Sequence, residues 1–137
     1  MYDGGYCMDS ATIINLLIVV GIGLFLWNRF GTARGLSNMS PIRFEQELTN
    51  HADALLIDVR EPHEYQAGHI PNALNIPVSQ LQDKLAEVPK DHKVLLYCQS
   101  GLRSRKAARI LSKMGYRNMG HLSSGIMAWG GPLETKR

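Results

Sequence analysis

Two short apolar runs, "ALLIDV" at 54–59 and "KVLLY" at 93–97, constrain the fold most strongly. Neither run alternates between apolar and polar residues, so each is predicted to be a strand buried on both faces. Such strands belong to parallel sheets whose two faces are covered by helices. These runs therefore predict an α/β fold.

Helix-like segments separate the strands. Ser40 followed by Pro41 is typical of a helix start and predicts a helix to about Leu48. Ser79, with Gln82 three residues later, is typical of a capping box. The other predicted helices cover 61–68, 80–88 and 104–114, and the other predicted strands are "ALNIPV" and "NMGHL", followed by a short helix near "GIMAW". This alternation predicts a mainly parallel sheet with right-handed crossovers.

Length and composition limit the chain to one compact domain with a short appendage, since it has 137 residues. The net charge is +3, but the basic residues are scattered and no nucleic-acid partner is predicted. Cys7 and Cys98 lie in regions of very different character, so reduced thiols are expected rather than a disulfide framework.

The appendage contains the apolar run "ATIINLLIVVGIGLFLW", which has no ionisable side chain. Its length as a helix is about 25 Å, close to the thickness of a membrane core. A signal peptide would need a basic start, whereas Asp3 and Asp9 precede this run and no Lys or Arg does. A core helix would carry a polar stripe. A transmembrane helix over 11–28 is therefore predicted.

Basic residues set the predicted orientation of this helix. Arg29, Arg34 and Arg43 all follow the apolar run, which places them on the cytoplasmic side of a cell membrane crossed once. The prediction is a short outside tail at 1–10, a linker at 29–39 and a cytoplasmic domain at 40–137. Cys7 then lies outside as an incidental, unpaired thiol.

Cys98 stands where the strand "KVLLY" ends and a loop leads into the next helix. A lone cysteine is most often an inert core residue. However, ligands bind at the carboxyl ends of strands in such sheets, and loop N–H groups with a helix N-terminus favour a thiolate there. Gly101 permits a tight loop, and Arg103 adds positive charge.

The number of residues between Cys98 and Arg103 helps to distinguish phosphoryl transfer from sulfur transfer. The cysteine phosphatase signature has five intervening residues, whereas here there are four, from Gln99 to Leu102. The loop between cysteine and arginine forms a ring around the bound group, and a loop that is one residue shorter forms a smaller ring. Such a ring should enclose one extra sulfur atom more readily than a phosphate group. Sulfur transfer through a persulfide is therefore the leading hypothesis.

Three stretches resemble the single-domain rhodanese family over about Ser40 to Leu133. They are "IDVREPHEYQAGHIPNALNIP", the loop "CQSGLRS" and "SSGIMAW", in which Ser124 stands where the family often has glycine. The resemblance implies a three-layer rhodanese fold and no metal or organic cofactor.

The resemblance also implies roles for residues. Cys98 would take sulfur from thiosulfate or a persulfide and pass it to cyanide or a thiol. The loop residues would bind substrate and stabilise the persulfide, with Arg103 holding the loop and attracting the donor anion; they are Gln99, Ser100, Gly101, Leu102, Arg103 and Ser104. Asp58 and Arg60 are expected to pair with each other or to brace this loop.

The remaining polar and aromatic residues of the motifs are predicted to be structural. Glu64 and Tyr65 are expected to be helix-face contacts, His69 a satisfied turn histidine and Trp129 a core residue. His121 has no metal-site spacing. Two other functions stay open: a persulfide carrier that serves one membrane-proximal protein, and a cysteine phosphatase or arsenate reductase.

Overall fold

The computed structural model describes residues 8–84 and 88–136. The chain forms two compact units that divide between Thr32 and Ala33. Cys7 and part of the predicted helix over 80–88 lie outside the described residues.

The first unit contains helix α1 (Ser10–Phe30), slightly longer than the predicted span at 11–28. The side chain of Asp9 accepts a hydrogen bond from the N–H of Thr12 at 2.8 Å and caps the helix start. None of the residues of α1 is buried. Among the described residues, α1 is the one helix long and apolar enough to cross a membrane, properties that signal sequences share.

The second unit is built on a parallel sheet. Its strands within the described residues are β1 (Leu36–Met39), β2 (Leu55–Asp58), β3 (Leu74–Asn75), β4 (Val94–Tyr97) and β5 (Met119–Leu122). Their order is β1-β5-β4-β2-β3, and every pairing is parallel. The predicted α/β class is thereby confirmed. The central strand β4 is buried at every position, as its unbroken apolar run predicts.

Helices cover both faces of this sheet and give the predicted three layers. They are α2 (Pro41–Asn50), α3 (Pro62–Ala67), α4 (Val78–Lys84) and α5 (Leu102–Lys113), followed by a 3₁₀ turn at Ile126–Ala128. On one face, Leu111 of α5 shares a core with Leu96. On the other face, Phe44 of α2 shares a core with Leu95 and Tyr97.

The alternation along β4 determines which way Cys98 faces. Leu95 and Tyr97 belong to the core under α2, whereas Leu96 belongs to the core under α5. Cys98 continues this alternation and joins the core of Leu96. Its side chain therefore lies on the same face of the sheet as α5.

The segment predicted as a linker, 29–39, includes strand β1. Leu36 lies opposite Met119 and Met39 opposite Leu122, so β1 extends the sheet beside β5. Only Met39 of this strand is buried. The short sequence "LSNM" carries no strand pattern, and β1 forms because β5 offers backbone partners along an open edge. The folded unit thus begins before residue 40.

Two helix starts differ from the predicted ones. Helix α5 begins at Leu102 rather than at Ser104, because Gly101 takes a left-handed conformation (φ 98°) and turns the chain directly into the helix. Helix α4 begins at Val78, so Ser79 lies inside its first turn rather than capping it. The N–H of Gln80 donates to the carbonyl of Pro77 at 2.9 Å in this first turn.

The start of α2 and the extent of β3 can also be compared with the predictions. Ser40 accepts a hydrogen bond from the N–H of Arg43 at 3.4 Å, which confirms it as the cap of α2. Strand β3 covers only two residues of the predicted 73–78 strand. It is an edge strand, and the predicted range is cut short because helix α4 already begins at Val78.

Candidate active site

Cys98 follows the last residue of β4 and precedes a three-residue loop, Gln99–Gly101, that leads into α5. Its side chain is buried, and 1% of the residue is exposed. Gln99, Ser100 and Leu102 are exposed. The sulfur is thus buried, whereas the uncharged loop residues on either side of Gly101 are exposed.

Gly101 supplies the closest polar contact to the sulfur. Its N–H donates to Cys98 Sγ at 3.1 Å, which bends the loop back over the end of β4. Gly101 has a φ of 98°, and a Cβ at this position would lie 2.0 Å from the carbonyl oxygen of Ser123. Both the conformation and the space require glycine here.

The 3₁₀ turn after β5 holds the other side of the loop. The N–H of Ile126 donates to the carbonyl of Cys98 at 2.9 Å, and the N–H of Met127 donates to that of Gln99 at 3.3 Å. Gly125 allows this approach, because a Cβ there would lie 2.1 Å from the carbonyl oxygen of Gln99. Ser124 has no positive φ, so this turn does not need a second glycine.

Arg103, in the first turn of α5, forms an ion pair with Glu64 of α3. Two parallel hydrogen bonds of 2.6 and 2.7 Å join the guanidinium to the carboxylate. The hydrogen bonds from Arg103 lower the pKa of Glu64 to about 2. The resemblance predicts that Arg103 holds the loop and attracts an anionic donor. Its positive charge is already balanced by the Glu64 carboxylate.

Asp58 and Arg60 pair with each other at the end of β2. Arg60 Nη2 lies 2.7 Å from Asp58 Oδ2, and both residues are buried. The same nitrogen donates to the carbonyl of Gly68 at 2.6 Å. Asn75 donates to the carbonyls of Asp58 and Arg60. Their hydrogen bonds among the described residues therefore brace the turn between α3 and β3 rather than the loop after Cys98.

Ser104 links the sulfur to a buried histidine. Its Oγ lies 3.7 Å from Cys98 Sγ and 2.9 Å from His121 Nδ1. His121 Nε2 lies 2.7 Å from Asn38 Oδ1 on β1. Burial lowers the pKa of His121 to about 4, and the charge of Arg105 contributes to this shift. His121 is therefore neutral near neutral pH.

Glu64, His121 and Asn38 are neighbours of the loop region that the sequence motifs do not predict. Glu64 lies in the first turn after β2, at the same sheet edge as Cys98, which is a usable signal. A polar histidine inside the buried run "NMGHL" is another. No sequence signal indicates Asn38, because the residues of β1 do not have the pattern of a strand.

The remaining predictions are that His69 and Trp129 have structural roles and that the histidines lack the spacing of a metal site. His69 lies with Nδ1 2.8 Å from the carbonyl of Tyr65, whose ring stacks on the imidazole. Trp129 is partly buried and packs against the core under α2, where its ring meets Phe44 edge to face. Over 8–84 and 88–136, no three His, Cys, Asp or Glu side chains come together in a way that could hold a metal ion.

Residues 40–131 match the model of a known family, the Rhodanese-like domain. This chain belongs to the rhodanese-like family. The resemblance carried by the three sequence motifs is thereby confirmed. The matched range contains every residue of the loop and both glycines that shape it.

Proteins similar to this chain include one named as a sulfurtransferase, one named as a putative sulfur carrier and a solved rhodanese-related protein. A protein named "Sulfurtransferase" from Allochromatium vinosum is 42% identical over 84 residues, which cover 61% of this chain and 78% of that protein. The "Putative sulfur carrier protein YrkF" of Bacillus subtilis is 29% identical over 102 residues, 74% of this chain and 55% of that protein. A solved rhodanese-related protein from Thermoplasma volcanium has a TM-score of 0.65 and 30% identity, covering 72% of this chain and 98% of that one.

The rhodanese-like loop of this chain can stabilise negative charge on sulfur. The N–H of Gly101 already donates to Cys98 Sγ. The first N–H groups of a helix have no partner inside it, and the helix start carries partial positive charge. This chemistry suits a cysteine that reacts as a thiolate and carries an anionic adduct.

Proposed function

We propose that this chain is a sulfurtransferase that takes sulfane sulfur from thiosulfate or a persulfide onto Cys98 and passes it to cyanide or a thiol. The contact that carries this proposal is the hydrogen bond from the Gly101 N–H to Cys98 Sγ at the start of α5. A donor held at this distance stabilises the negative charge of the Cys98 thiolate that attacks the sulfur donor.

The proposed reaction has two steps. The Cys98 thiolate attacks the outer sulfur of thiosulfate, so a bond forms between Sγ and that sulfur. The sulfur–sulfur bond of the donor breaks, and sulfite leaves with its electron pair. A nucleophilic acceptor then attacks the terminal sulfur of the persulfide, which regenerates the Cys98 thiolate. Neither step needs an oxidant, a reductant or a cofactor.

Mass spectrometry of the intact chain tests the first step. After incubation with thiosulfate, the protein should gain the mass of one sulfur atom on Cys98, and cyanide should remove it as thiocyanate. The Cys98→Ser variant should do neither, whereas Cys7→Ser should behave as the wild type. Full thiocyanate formation by Cys98→Ser would exclude the proposed nucleophile.

A persulfide carrier is the second candidate function. The pairing of Arg103 with Glu64 favours it, because a matched cation attracts a small anionic donor less strongly. A relative named as a putative sulfur carrier supports the same possibility. A carrier would react slowly with thiosulfate, and its persulfide would persist until one membrane-proximal acceptor protein is added. Rapid turnover with cyanide would exclude it.

Phosphatase or arsenate reductase activity is the weaker alternative. The four residues between Cys98 and Arg103 argue against it, since the phosphatase signature has five. Hydrolysis of an aryl phosphate by the wild type, lost in Cys98→Ser, would revive it. We expect no such hydrolysis.

We further propose that α1 anchors the chain in the cell membrane, with the rhodanese-like domain in the cytoplasm. The length and apolar character of α1 support this, and so do the basic residues after it. A membrane-impermeant thiol reagent should label Cys7 on intact cells, and Cys7→Ser should abolish the label. Labelling of Cys7 only after lysis would reverse the orientation. A purified chain that lacks its first thirty residues would indicate a cleaved signal.

A further inference from the structure

Large apolar side chains are exposed at the edge of the sheet that carries the candidate nucleophile. Among the described residues of the second unit, the three most exposed are Ile42, Leu102 and Met127, with 72%, 71% and 72% of each residue exposed. They follow the carboxyl ends of β1, β4 and β5, respectively. These strands are neighbours in the sheet. The most exposed apolar residues therefore lie at the same edge as Cys98.

Backbone positions hold two of these residues next to the loop. Leu102 directly follows Gly101, whose N–H donates to Cys98 Sγ. The N–H of Met127 donates to the carbonyl of Gln99 at 3.3 Å. Single exposed apolar residues are normal on a protein surface, but several around one loop are typical of an interaction surface. Thiosulfate and cyanide are too small and polar to cover both side chains.

The helix that begins at Leu102 carries only positive charge, since its sequence "LRSRKAARILSK" contains no Asp or Glu. Arg105 and Lys106 are exposed, and neither forms a salt bridge with another residue in the described part of the chain. They lie three and four positions after Leu102 and so share a helix face with it. The helix dipole favours acidic residues near a helix start. Helix stability therefore does not explain these two cations.

The other charges near this edge are balanced. Arg103 is paired with Glu64. On α2, the exposed Arg43 is accompanied by the exposed Glu45. The net positive charge thus belongs to the two unpaired cations of α5. A partner that covers the apolar residues needs negative charge beside its own apolar surface, because opposite charges across an interface favour the correct partner.

We propose that this edge of the sheet is a docking surface for an acidic protein whose cysteine accepts sulfur from Cys98. Leu102 and Met127 would contact apolar residues beside that cysteine, and Arg105 and Lys106 would face its carboxylates. This role rests on the sulfur transfer proposed above and names the acceptor as a protein rather than a small thiol.

The transfer to such a partner needs no further reagent. The thiolate of the partner attacks the terminal sulfur of the Cys98 persulfide, so a sulfur–sulfur bond forms on the partner. The bond between that sulfur and Cys98 Sγ breaks, and Cys98 leaves as a thiolate with the electron pair.

An anionic membrane surface would match the same apolar and basic side chains. It would also cover Cys98 and keep both the sulfur donor and the acceptor away from it. A protein with its own cysteine covers the surface and completes the reaction. The position of the exposed residues around the nucleophile therefore favours a protein.

Synthetic peptides serve as acceptors in the test. The full chain with Cys7→Ser, held in nanodiscs of neutral lipid, is loaded with thiosulfate, and mass spectrometry verifies the added sulfur on Cys98. One peptide contains a cysteine among leucines and aspartates, and a second has lysine in place of aspartate. Loss of the sulfur mass from the chain gives each transfer rate. Because flanking charges also alter the peptide thiol, the readout is the ratio of the acidic-peptide rate to the basic-peptide rate.

Lys106→Glu should lower this ratio about fivefold, because it replaces an attraction by a repulsion at an exposed site. Lys113→Glu, at the far end of the same helix, should leave the ratio unchanged. High salt should lower the ratio of the wild type, since it screens exposed charges. Met127→Gln should slow transfer to the acidic peptide more than transfer to a matched peptide with serine in place of leucine.

The outcomes separate this docking surface from the proposed function. A chain that loads sulfur but has the same ratio in wild type and Lys106→Glu would overturn the docking surface alone. A chain that loads no sulfur would overturn the proposed function and the docking surface with it. Nanodiscs of anionic lipid test the membrane as occupant. If they slow the reaction of the loaded chain with cyanide, and Lys106→Glu removes that slowing, the surface binds lipid and the proposal is wrong.

Discussion

Arg103 and Glu64 join the start of α5 to α3 through two hydrogen bonds of 2.6 and 2.7 Å. The Glu64 carboxylate also accepts a hydrogen bond from the N–H of Glu61 at 2.9 Å, so it is held from two sides. Both charged side chains remain partly exposed. The pair ties the helix that follows the loop to the helix that follows β2.

Glu64→Gln should lower the free energy of unfolding at neutral pH by less than about 1 kcal/mol, because partly exposed ion pairs are screened by water. The pKa of Glu64 is lowered from 4.5 to about 2. A lowered carboxyl pKa stabilises the fold above pH 4.5, and this contribution disappears as the pH falls toward 2. Urea denaturation should therefore show a difference between wild type and variant that shrinks in acid. Glu45→Gln, which removes an exposed charge, is the control.

Gly101→Ala should destabilise the fold and abolish persulfide formation, because its Cβ would meet the Ser123 carbonyl at 2.0 Å. Gly115→Ala is a matched control: Gly115 has a φ of 100°, and nothing lies within 4 Å of its Cβ position. The control should cost only the left-handed strain, about 1 kcal/mol, and keep activity. Thermal denaturation and the sulfur-adduct mass measure both effects. Equal behaviour of the two variants would show that contact with Ser123 is unimportant.

The parallel sheet and the position of Cys98 could be predicted because local sequence determines them. An unbroken apolar run such as "VLLY" has few alternatives to a strand buried on both faces. Gly101 marks the turn that follows. Residues within a few positions of Cys98 therefore specify both the end of the strand and the start of the loop.

The contacts around the loop could not be predicted in the same way, because they join distant segments. Glu64 and Arg103 are 39 residues apart, and His121 and Asn38 are 83 apart. Asn38 reaches His121 only because β1 pairs with β5. The strand order that brings these residues together results from packing of the whole sheet, and no local pattern records it.

His121 should make stability depend on pH in weak acid. Its pKa is lowered from 6.5 to about 4, so the unfolded chain binds a proton before the folded one does. The stability is therefore full above pH 6.5 and falls as the pH drops toward 4, by up to about 3 kcal/mol. His121→Leu should remove this loss in denaturation experiments across that range. His92→Leu, at an exposed position, should retain it, and parallel curves for wild type and His121→Leu would contradict the assignment.

Asp58→Asn should lower the free energy of unfolding by about 3 kcal/mol, because it leaves the buried Arg60 guanidinium without a matching charge. Replacing both residues by apolar ones, Asp58→Leu with Arg60→Met, should recover part of this loss. Asp53→Asn, at an exposed position, should change little. The folded fraction of Asp58→Asn should still accept sulfur on Cys98, because the hydrogen bonds of Asp58 go to Arg60 and Asn75 and its strand partner is Tyr97, so its contacts stop short of the loop Gln99–Gly101. Chemical denaturation gives the stability, and the sulfur adduct per folded molecule gives the activity. A stable Asp58→Asn that fails to form the adduct would assign Asp58 to the reaction itself.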